Sequence, residues 1–327
     1  MDLTRRRALN LLAVAAAGRV GAAVAQAADA AWPARPIRLL LPNAPGSSID
    51  TVGRAVAIHL GQALAQSVFA ENRTGGAGIV GMDAGRNATA DGYTFIVAST
   101  SSMTVSPLVN KATPFDVMRD FEFVSLVALL PSIVAVNPGL KINSVAELIA
   151  YARANPGKVN MASGGIGSIS HLGGMRFALA AGFESLHVPY SGGGPSVASV
   201  VAGQTHWTLV PAPAAMGLVK QGRLKALAHS MARGAGIEGL PSLSESVPGF
   251  ESNGWIGIVA PKGVAPAIIE RFRAALAAAM RSSALEQALA SNGAVAAPST
   301  PAEFRAMLAR DIEQTRAVMR VAGISAE

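Results

Sequence analysis

Short apolar runs alternate with helical spacings of apolar residues through the first third of the chain. Residues Ile37–Leu41 form an apolar run between two prolines, which is typical of a buried strand. Apolar residues then recur at helical spacing over residues 49–64, and Ser47 or Ser48 can cap that helix. The next predicted elements are a strand at 68–70, a helix at 79–87 and a strand at 93–98. This β-α-β-α-β order predicts a parallel sheet with right-handed crossovers.

A second series of the same kind follows from residue 133. The predicted strands lie at 133–136, 159–162, 186–190, 207–210, 225–228 and 255–259. Capping boxes predict helix starts at Ser144 and Thr300, because a glutamate stands three residues after each of them. Two α/β series in tandem predict two domains, joined near residues 127–131. Periodicity alone leaves open which domain takes the C-terminal helices.

The first 27 residues predict an export signal rather than a part of the fold. Three arginines at 5–7 precede an apolar stretch at 8–18, and Ala25-Gln26-Ala27 resembles a signal-peptide cleavage site. Arg19 interrupts the apolar run, which is shorter than the about 18–20 residues that a membrane-spanning helix needs. We therefore expect export to the periplasm, and the arginines leave both the Sec and the twin-arginine route open.

Composition excludes several classes of function. Half of the 327 residues are hydrophobic and 14% are charged, so the chain can bury a large aliphatic core. The chain has no cysteine, which excludes disulfide frameworks, thiolate metal sites and cysteine nucleophiles. The net charge is +7, but removing the predicted signal takes away four arginines and one aspartate and leaves 23 basic and 19 acidic residues, or +4. The basic residues are scattered, and we expect no nucleic-acid partner.

Three loops that follow predicted strands are rich in glycine, serine and proline and lead into helices, namely residues 42–48, 163–168 and 190–195. Ligands of open parallel sheets bind beyond the carboxyl ends of the strands, where helix N-termini point. Free N–H groups and the helix dipole at such ends attract small anions such as carboxylates. Ser99 and Ser101 offer hydroxyl groups toward the same edge, although a solvated turn explains them equally well.

Other chemistries find less support in the sequence. Residues 76–81 match G-x-G-x-x-G, but they follow the second strand, and no acidic residue stands about 20 residues later to hold a ribose. A tight strand-to-helix turn explains these glycines better, and we expect no cofactor. The five histidines form no close ligand pair, so we expect no metal site. His171, three residues after Ser168, could instead close the anion site. We expect no catalytic residues, because the chain has no G-x-S-x-G elbow and no Walker loop.

Eight short stretches, taken in order, resemble the Bug family of periplasmic substrate-binding proteins of tripartite tricarboxylate transporters. The matching stretches are WPARPIR at 32–38, PNAPGSSID at 42–50, ENRTGGAG at 71–78, DGYT at 91–94, GSISHL at 167–172, HVPY at 187–190, GRLKALA at 222–228 and WIGIVAP at 255–261. Each stretch is weak evidence by itself, whereas their order and spacing are specific. The likeness covers essentially the whole mature chain.

The resemblance implies a type II periplasmic-binding-protein fold, an α/β architecture of two lobes with a ligand cleft between them. Lobe 1 would comprise residues 28–128 and 232–327, and lobe 2 residues 129–231. The lobes would close about a hinge formed by two crossovers, near residues 127–131 and 228–231. The family also implies a monomer that delivers its ligand to a membrane permease.

The resemblance further implies that backbone N–H groups, hydroxyls and waters hold a small carboxylate. Carried over by position, the ligand-binding residues are Asn43, Ala44, Gly46, Ser47, Ser163, Gly167, Ser168, His171 and Tyr190. Ser99 and Ser101 join them on the argument from the strand ends. No catalytic residue, cofactor or metal is implied.

The chain departs from the family pattern at several positions. Asn43 stands where a phenylalanine is usual and Ser47 where a second glycine is usual, which predicts a more polar pocket. Family members commonly have aspartate where His206 and Val210 stand. If the second of these aspartates holds a ligand's amine or hydroxyl, Val210 favours a plain or aromatic carboxylate over an amino acid.

Two other functions remain open on the sequence. An orphan receptor that feeds a two-component sensor kinase would have the same fold and cleft. An NAD-dependent enzyme would use the glycines at 76–81. The preferred hypothesis is a periplasmic, non-enzymatic receptor for a small organic anion.

Overall fold

The computed structural model describes residues 32–231 and 237–321, and in this part of the chain ten strands alternate with helices. The first elements are β1 (Ile37–Leu41), α1 (Ser48–Leu64), β2 (Val68–Asn72), α2 (Ile79–Arg86), β3 (Thr94–Ser99), α3 (Ser106–Val109) and β4 (Phe121–Val136). Next come α4 (Val145–Ala154), β5 (Asn160–Ser163), α5 (Ile169–Ala180), β6 (Leu186–Pro189), α6 (Gly193–Val201), β7 (Trp207–Pro211), α7 (Met216–Lys220) and β8 (Lys225–His229). The last are β9 (Asn253–Pro261), α8 (Pro266–Met280), α9 (Ser283–Ser291), β10 (Val295–Ala296) and α10 (Pro301–Val321).

The strands form two sheets that share β4. The order is β2-β1-β3-β9-β4 on one side and β4-β7-β5-β6 on the other, with β8 and β10 also paired to β4. The predicted parallel pairing is confirmed for β1 with β2 and β3, and for β5 with β6 and β7. Strand β9 runs antiparallel to β3 and β4, and β4 runs antiparallel to β7 and β8. The chain therefore has two α/β lobes, each with a mixed sheet.

Strand β4 is the first connection between the lobes. Its pairing with β9 ends at Pro131, and its pairing with β7 begins at Ser132. Proline has no amide hydrogen, so it fits a position where the hydrogen-bonding partner changes. The sequence pattern predicted only residues 133–136 of this strand. The rest was missed because the strand passes from one sheet to the other and has no single alternation of buried and exposed positions.

Each lobe has its own core. In the first lobe, Phe95 stacks on Phe272 with ring centroids 3.6 Å apart. Helices α1, α8 and α9 pack on one face of this sheet, and α2 and α10 pack on the other. In the second lobe, Phe177 and Phe183 lie edge-on to Trp207 at 5.6 and 5.7 Å. The C-terminal helices thus belong to the first lobe, which the periodicity had left open.

The segment before β9 packs with the second lobe. Leu243, Val247 and Phe250 are buried in the same core as Trp207. The Ser230 hydroxyl lies 2.8 Å from the Ser252 carbonyl oxygen, just before β9 begins. On this packing we propose that the second lobe extends to residue 252, beyond the predicted boundary at 231.

The predicted export signal at residues 1–27 lies outside the described residues. Among the helices that the structure describes, none combines the length and the apolar composition needed to cross a membrane.

Gly257 offers a test of how tightly α10 packs on the first sheet. A methyl group at this position in β9 would overlap the ring of Phe304. We expect Gly257→Ala to lower the free energy of unfolding by about 1–3 kcal/mol, because an overpacked core must shift its neighbours. Urea unfolding followed by circular dichroism measures the change.

Gly217→Ala is the matched control for this prediction. Gly217 lies in α7 and has no atom within 4 Å of the position that a Cβ would take. Alanine stabilises helix interiors relative to glycine, so this variant should be at least as stable as the wild type. Equal stability of the two variants would contradict the packing described for Phe304.

Candidate functional site

A narrow cleft lies between the two lobes, at the carboxyl ends of β1, β3, β5 and β7. Its lining consists of Asn43, Ser47, Ser48, Ile49, Ser99, Thr100, Ser101, Leu130, Gly164, Ser168, Ile169, Ser170, Gly193, Val210, Pro211, Gly254 and Trp255. Of the residues that line this cleft in the described chain, none carries a formal charge. Any attraction for an ion must therefore come from backbone groups, hydroxyls and the side-chain amide of Asn43.

The loop after β1 is held in one conformation by a small network. Ser47 caps α1, since its hydroxyl oxygen accepts a hydrogen bond from the Asp50 amide at 3.2 Å. The Asp50 carboxylate accepts hydrogen bonds from the Gly46 amide at 2.9 Å and from Arg54 Nε at 2.7 Å. Asn72 Nδ2 donates to the same carboxylate at 3.0 Å. The negative charge of Asp50 is thus compensated beside the helix terminus.

Three further helical N-termini line the cleft. Ser99 caps the helical turn Thr100–Val105 after β3, and Ser168 caps α5 by accepting from the His171 amide at 3.1 Å. Gly193 begins α6, which has no side-chain cap. The first N–H groups of a helix have no acceptor inside the helix and form the positive end of its dipole. Two such termini from each lobe therefore converge on one uncharged cleft, an arrangement suited to a small anion.

The two lobes also contact each other directly beside the cleft. The Ile169 amide of the second lobe donates to the Ser101 hydroxyl oxygen of the first at 3.0 Å. The Ser106 hydroxyl donates to the Gly167 carbonyl oxygen at 3.2 Å. An apolar cluster joins the lobes next to these hydrogen bonds, and its buried members are Val105, Val109, Leu172 and Met319. The lobes are thus closed on each other.

Glycines let the loop before α6 approach the loop after β1. A side chain at Gly194 would overlap the Pro45 carbonyl oxygen. A Cβ at Gly192 would lie 2.9 Å from the Ala44 Cβ, and Gly192 also packs against the Asn43 side chain. The glycine-rich composition that drew attention to these loops therefore serves the contact between lobes as well as any ligand.

The structure places five of the eleven predicted site residues in the cleft lining. These are Asn43, Ser47, Ser99, Ser101 and Ser168. The other six lie around it. Ala44 and Gly46 shape the loop after β1, Gly167 packs under Val109, and Tyr190 lines a separate groove with Ser106 and Ile166.

Ser163 and His171, the remaining two, belong to a cluster behind the cleft wall. The Ser163 hydroxyl oxygen lies 2.5 Å from His187 Nε2 and accepts from the Gly165 amide at 3.2 Å. The rings of His187 and His171 stack at 4.2 Å. Burial, with a smaller contribution from His171, lowers the pKa of His187 to about 4, so this ring is neutral at pH 7. The cluster supports the loop after β5.

Sequence reasoning missed several lining residues. Trp255 is 4% exposed and enters the cleft from the start of β9, and Leu130 enters from the middle of β4. Strand β9 runs antiparallel to β3, and β4 runs antiparallel to β7, so the argument from carboxyl ends did not reach these two residues. Val210, noted as a departure from the family, does line the cleft, and it is 1% exposed. His206 lies elsewhere, where its Nδ1 accepts from the Asn160 amide at 3.0 Å.

The glycines of residues 76–81 form a tight turn before α2. Gly78 has φ +109°, and a Cβ there would lie 2.7 Å from the Ser102 Cβ. A Cβ at Gly81 would lie 2.5 Å from the Pro42 Cα. These glycines allow the turn to pack against the loop after β1 and the helical turn after β3, which is what the sequence predicted for them.

Comparison with known proteins gives one consistent result. A family model described as "Tripartite tricarboxylate transporter family receptor" (TctC) matches residues 52–323. Protein BugT of Bordetella pertussis is 34% identical over 326 residues, which cover 99% of each chain. Among solved structures, that of R. palustris Rpa4515 with adipate has a TM-score of 0.87 at 29% identity, covering 90% of this chain and all of the other. The periplasmic binding protein BugD has a TM-score of 0.86 at 25% identity, with the same coverage.

The family model spans most of the chain, and the solved relatives confirm the two-lobed periplasmic-binding-protein fold. The resemblance to the Bug proteins is thereby confirmed along the whole length of the fold. The chain belongs to the TctC family of periplasmic solute-binding receptors.

Proposed function

We propose that this protein is a periplasmic receptor that binds a small organic carboxylate in the cleft between its lobes. It would then deliver the ligand to the membrane permease of a tripartite tricarboxylate-type transporter. The observation that carries the proposal is the convergence of four helical N-termini, two from each lobe, on a cleft without charged side chains. A relative that is 29% identical is described with adipate, a dicarboxylate.

The capping serines suit this role chemically. The hydroxyl oxygens of Ser47 and Ser168 accept hydrogen bonds from backbone amides of their own helices. A serine hydroxyl has one hydrogen to donate besides its acceptor lone pairs. These hydrogens can be donated to a carboxylate, and hydrogen bonds to a charged acceptor are stronger than those between neutral groups. Asn43, Ser99 and Ser101 add further polar groups on the side of the first lobe.

Closure follows from the position of the cleft. A carboxylate that contacts termini from both lobes has a higher affinity for the closed form, and a ligand shifts a conformational equilibrium by its differential affinity. Motion would occur about the two connections, at residues 130–132 of β4 and at residues 252–253, where β9 begins. The permease would then recognise the closed form.

The apolar part of the cleft indicates the kind of carboxylate. Leu130, Val210 and Trp255 present hydrocarbon surface to the ligand. Among the described residues that line the cleft, none has a carboxylate side chain to pair with an ammonium group, and an unpaired buried charge is costly. We therefore propose that the ligand has no amine. The receptor would act as a monomer and release the ligand chemically unchanged.

A thermal-shift screen tests the proposed function directly. A carboxylate present at about 100 times its Kd stabilises the folded state by about 2.7 kcal/mol and should raise the Tm by several degrees. The panel contains mono-, di- and tricarboxylates, with NAD as the arm for a dehydrogenase. Stabilisation by NAD alone would overturn the proposal, and loss of uptake of the selected carboxylate in cells lacking the receptor would support the delivery step.

Ser168→Phe should abolish binding of the selected carboxylate while the protein stays folded. The variant fills the cleft at the N-terminus of α5 and loses a helix cap, which costs about 1 kcal/mol of stability. Ser144→Phe is the matched control, because Ser144 caps α4 away from the cleft by accepting from the Glu147 amide at 3.1 Å. Calorimetry should show wild-type affinity for the control, and unchanged affinity of Ser168→Phe would remove the site assignment.

Pairs of ligands that differ only by an amine test the role of the uncharged wall. We expect adipate to bind at least about tenfold more tightly than 2-aminoadipate, and succinate more tightly than aspartate, because the added ammonium has no acid to pair with in the cleft. Isothermal titration calorimetry on the wild-type protein measures both pairs. Equal affinity within both pairs would contradict the preference assigned to Val210 and its neighbours.

A further inference from the structure

Trp255 forms part of the cleft wall and is held from behind by a residue that does not line the cleft. Its indole Nε1 donates a hydrogen bond to Asp311 Oδ2 at 2.8 Å. Its backbone amide donates to the Thr100 hydroxyl oxygen at 2.9 Å, and its ring lies edge-on to Phe304 at 5.3 Å. The orientation of the indole is thus fixed at three points, two of which lie on helix α10.

The same carboxylate oxygen of Asp311 also accepts a hydrogen bond from a second element of the cleft wall. The Thr104 hydroxyl donates to Asp311 Oδ2 at 2.7 Å. Thr104 is fully buried in the helical turn Thr100–Val105, whose first residues line the cleft. One carboxylate oxygen therefore joins the cleft tryptophan to the turn that supplies Thr100 and Ser101.

The connection continues into the other lobe. Ser101, in the turn held by Asp311, accepts the hydrogen bond from the Ile169 amide at the N-terminus of α5. Asp311 thus lies at one end of a continuous path through the wall of the cleft to the second lobe. Phe304 and Asp311 are seven residues apart, or two turns, so α10 presents both from one face.

We infer that Asp311 is a positioning residue for ligand binding. It orients the Trp255 indole and the turn Thr100–Val105 so that the cleft has the shape that the carboxylate requires, without touching the ligand itself. This inference rests on the proposed function for its effect on affinity, whereas its effect on the indole can be measured without any ligand.

The alternative is that Asp311 only stabilises the packing of α10 on the first lobe. Leu308, one turn earlier on the same helix, is fully buried in the apolar cluster of that lobe and serves such a role. Glu313 is exposed and pairs with Arg316 on the same helix, so it provides a change of charge without a contact to the cleft. These two residues supply matched controls for stability and for charge.

The experiment compares Asp311→Ala, Asp311→Asn, Leu308→Ala and Glu313→Gln in the full mature chain. The first readout is the indole N–H resonance of Trp255 in ¹⁵N-labelled protein, assigned with Trp255→Phe. The second readout is the Kd for adipate, measured by calorimetry. The third is the Tm of each variant, which reports the structural contribution.

We expect Asp311→Ala to move the Trp255 indole resonance and to weaken adipate binding at least about tenfold, because a buried indole N–H loses its acceptor. Asp311→Asn keeps a neutral acceptor and should give an intermediate shift and a loss of about threefold. It also keeps the inference testable if Asp311→Ala does not fold. Leu308→Ala should lower the Tm with little change in Kd, and Glu313→Gln should change neither.

An unchanged indole resonance in both Asp311 variants would overturn the inference. The inference would also be overturned if Leu308→Ala and Asp311→Ala lost the same affinity at the same fall in Tm. The loss of affinity would then come from lower stability and not from the orientation of Trp255. If the wild-type protein does not bind adipate, the carboxylate found by the screen replaces it. If it binds none, the proposed function fails, and the indole resonance still decides whether Asp311 orients Trp255.

Discussion

The whole arrangement depends on β4 being shared by two sheets. Because one strand pairs with β9 along its first part and with β7 and β8 along its second, the two lobes stand with the carboxyl ends of their parallel strands toward the same space. Helices that begin at these ends then present their N-termini to each other across the cleft. The topology thus brings the positive ends of these helix dipoles to one space.

The structure keeps formal charge away from this space. Asp50 is compensated by Arg54 beside α1, and burial lowers the pKa of His187 so that its ring is neutral. The two hydrogen bonds that the structure gives Asp311 come from neutral donors behind the wall, on Trp255 and Thr104. A cleft of this kind attracts an anion through oriented N–H and O–H groups. A receptor must also release its ligand, and an attraction spread over many weak dipoles is easier to undo by opening than one strong ion pair.

Much of this could be predicted from the sequence, because local chemistry determines it. The run Ile37–Leu41 and the caps at Ser47 and Ser144 are set by nearest neighbours, and the structure has each of them. The contacts of Trp255 could not be predicted in this way. They join residues that are 56 and 155 positions apart, and no local pattern encodes which strands become neighbours.

The same distinction applies to the predicted site residues. Three of those in the cleft lining, Ser47, Ser99 and Ser168, are caps at strand-to-helix junctions, where sequence signals are strong. Ser163 and His171 were predicted by position in a loop, yet a loop has an inner and an outer side, and which side a residue takes depends on packing with His187. The sequence therefore predicted which loops border the cleft, but it did not predict which side chains of each loop line it.

Glycines lie where loops of the two lobes approach each other closely, whereas side chains elsewhere determine the shape of the cleft. Gly192 lies against the Ala44 side chain and Gly194 against the Pro45 carbonyl oxygen, so the lack of a side chain at these glycines lets the loops of the two lobes approach closely. The shape of the cleft is set elsewhere, by side chains such as Val210 and Trp255. Substitutions in the wall can then change the shape of the cleft while leaving the contact between these loops intact.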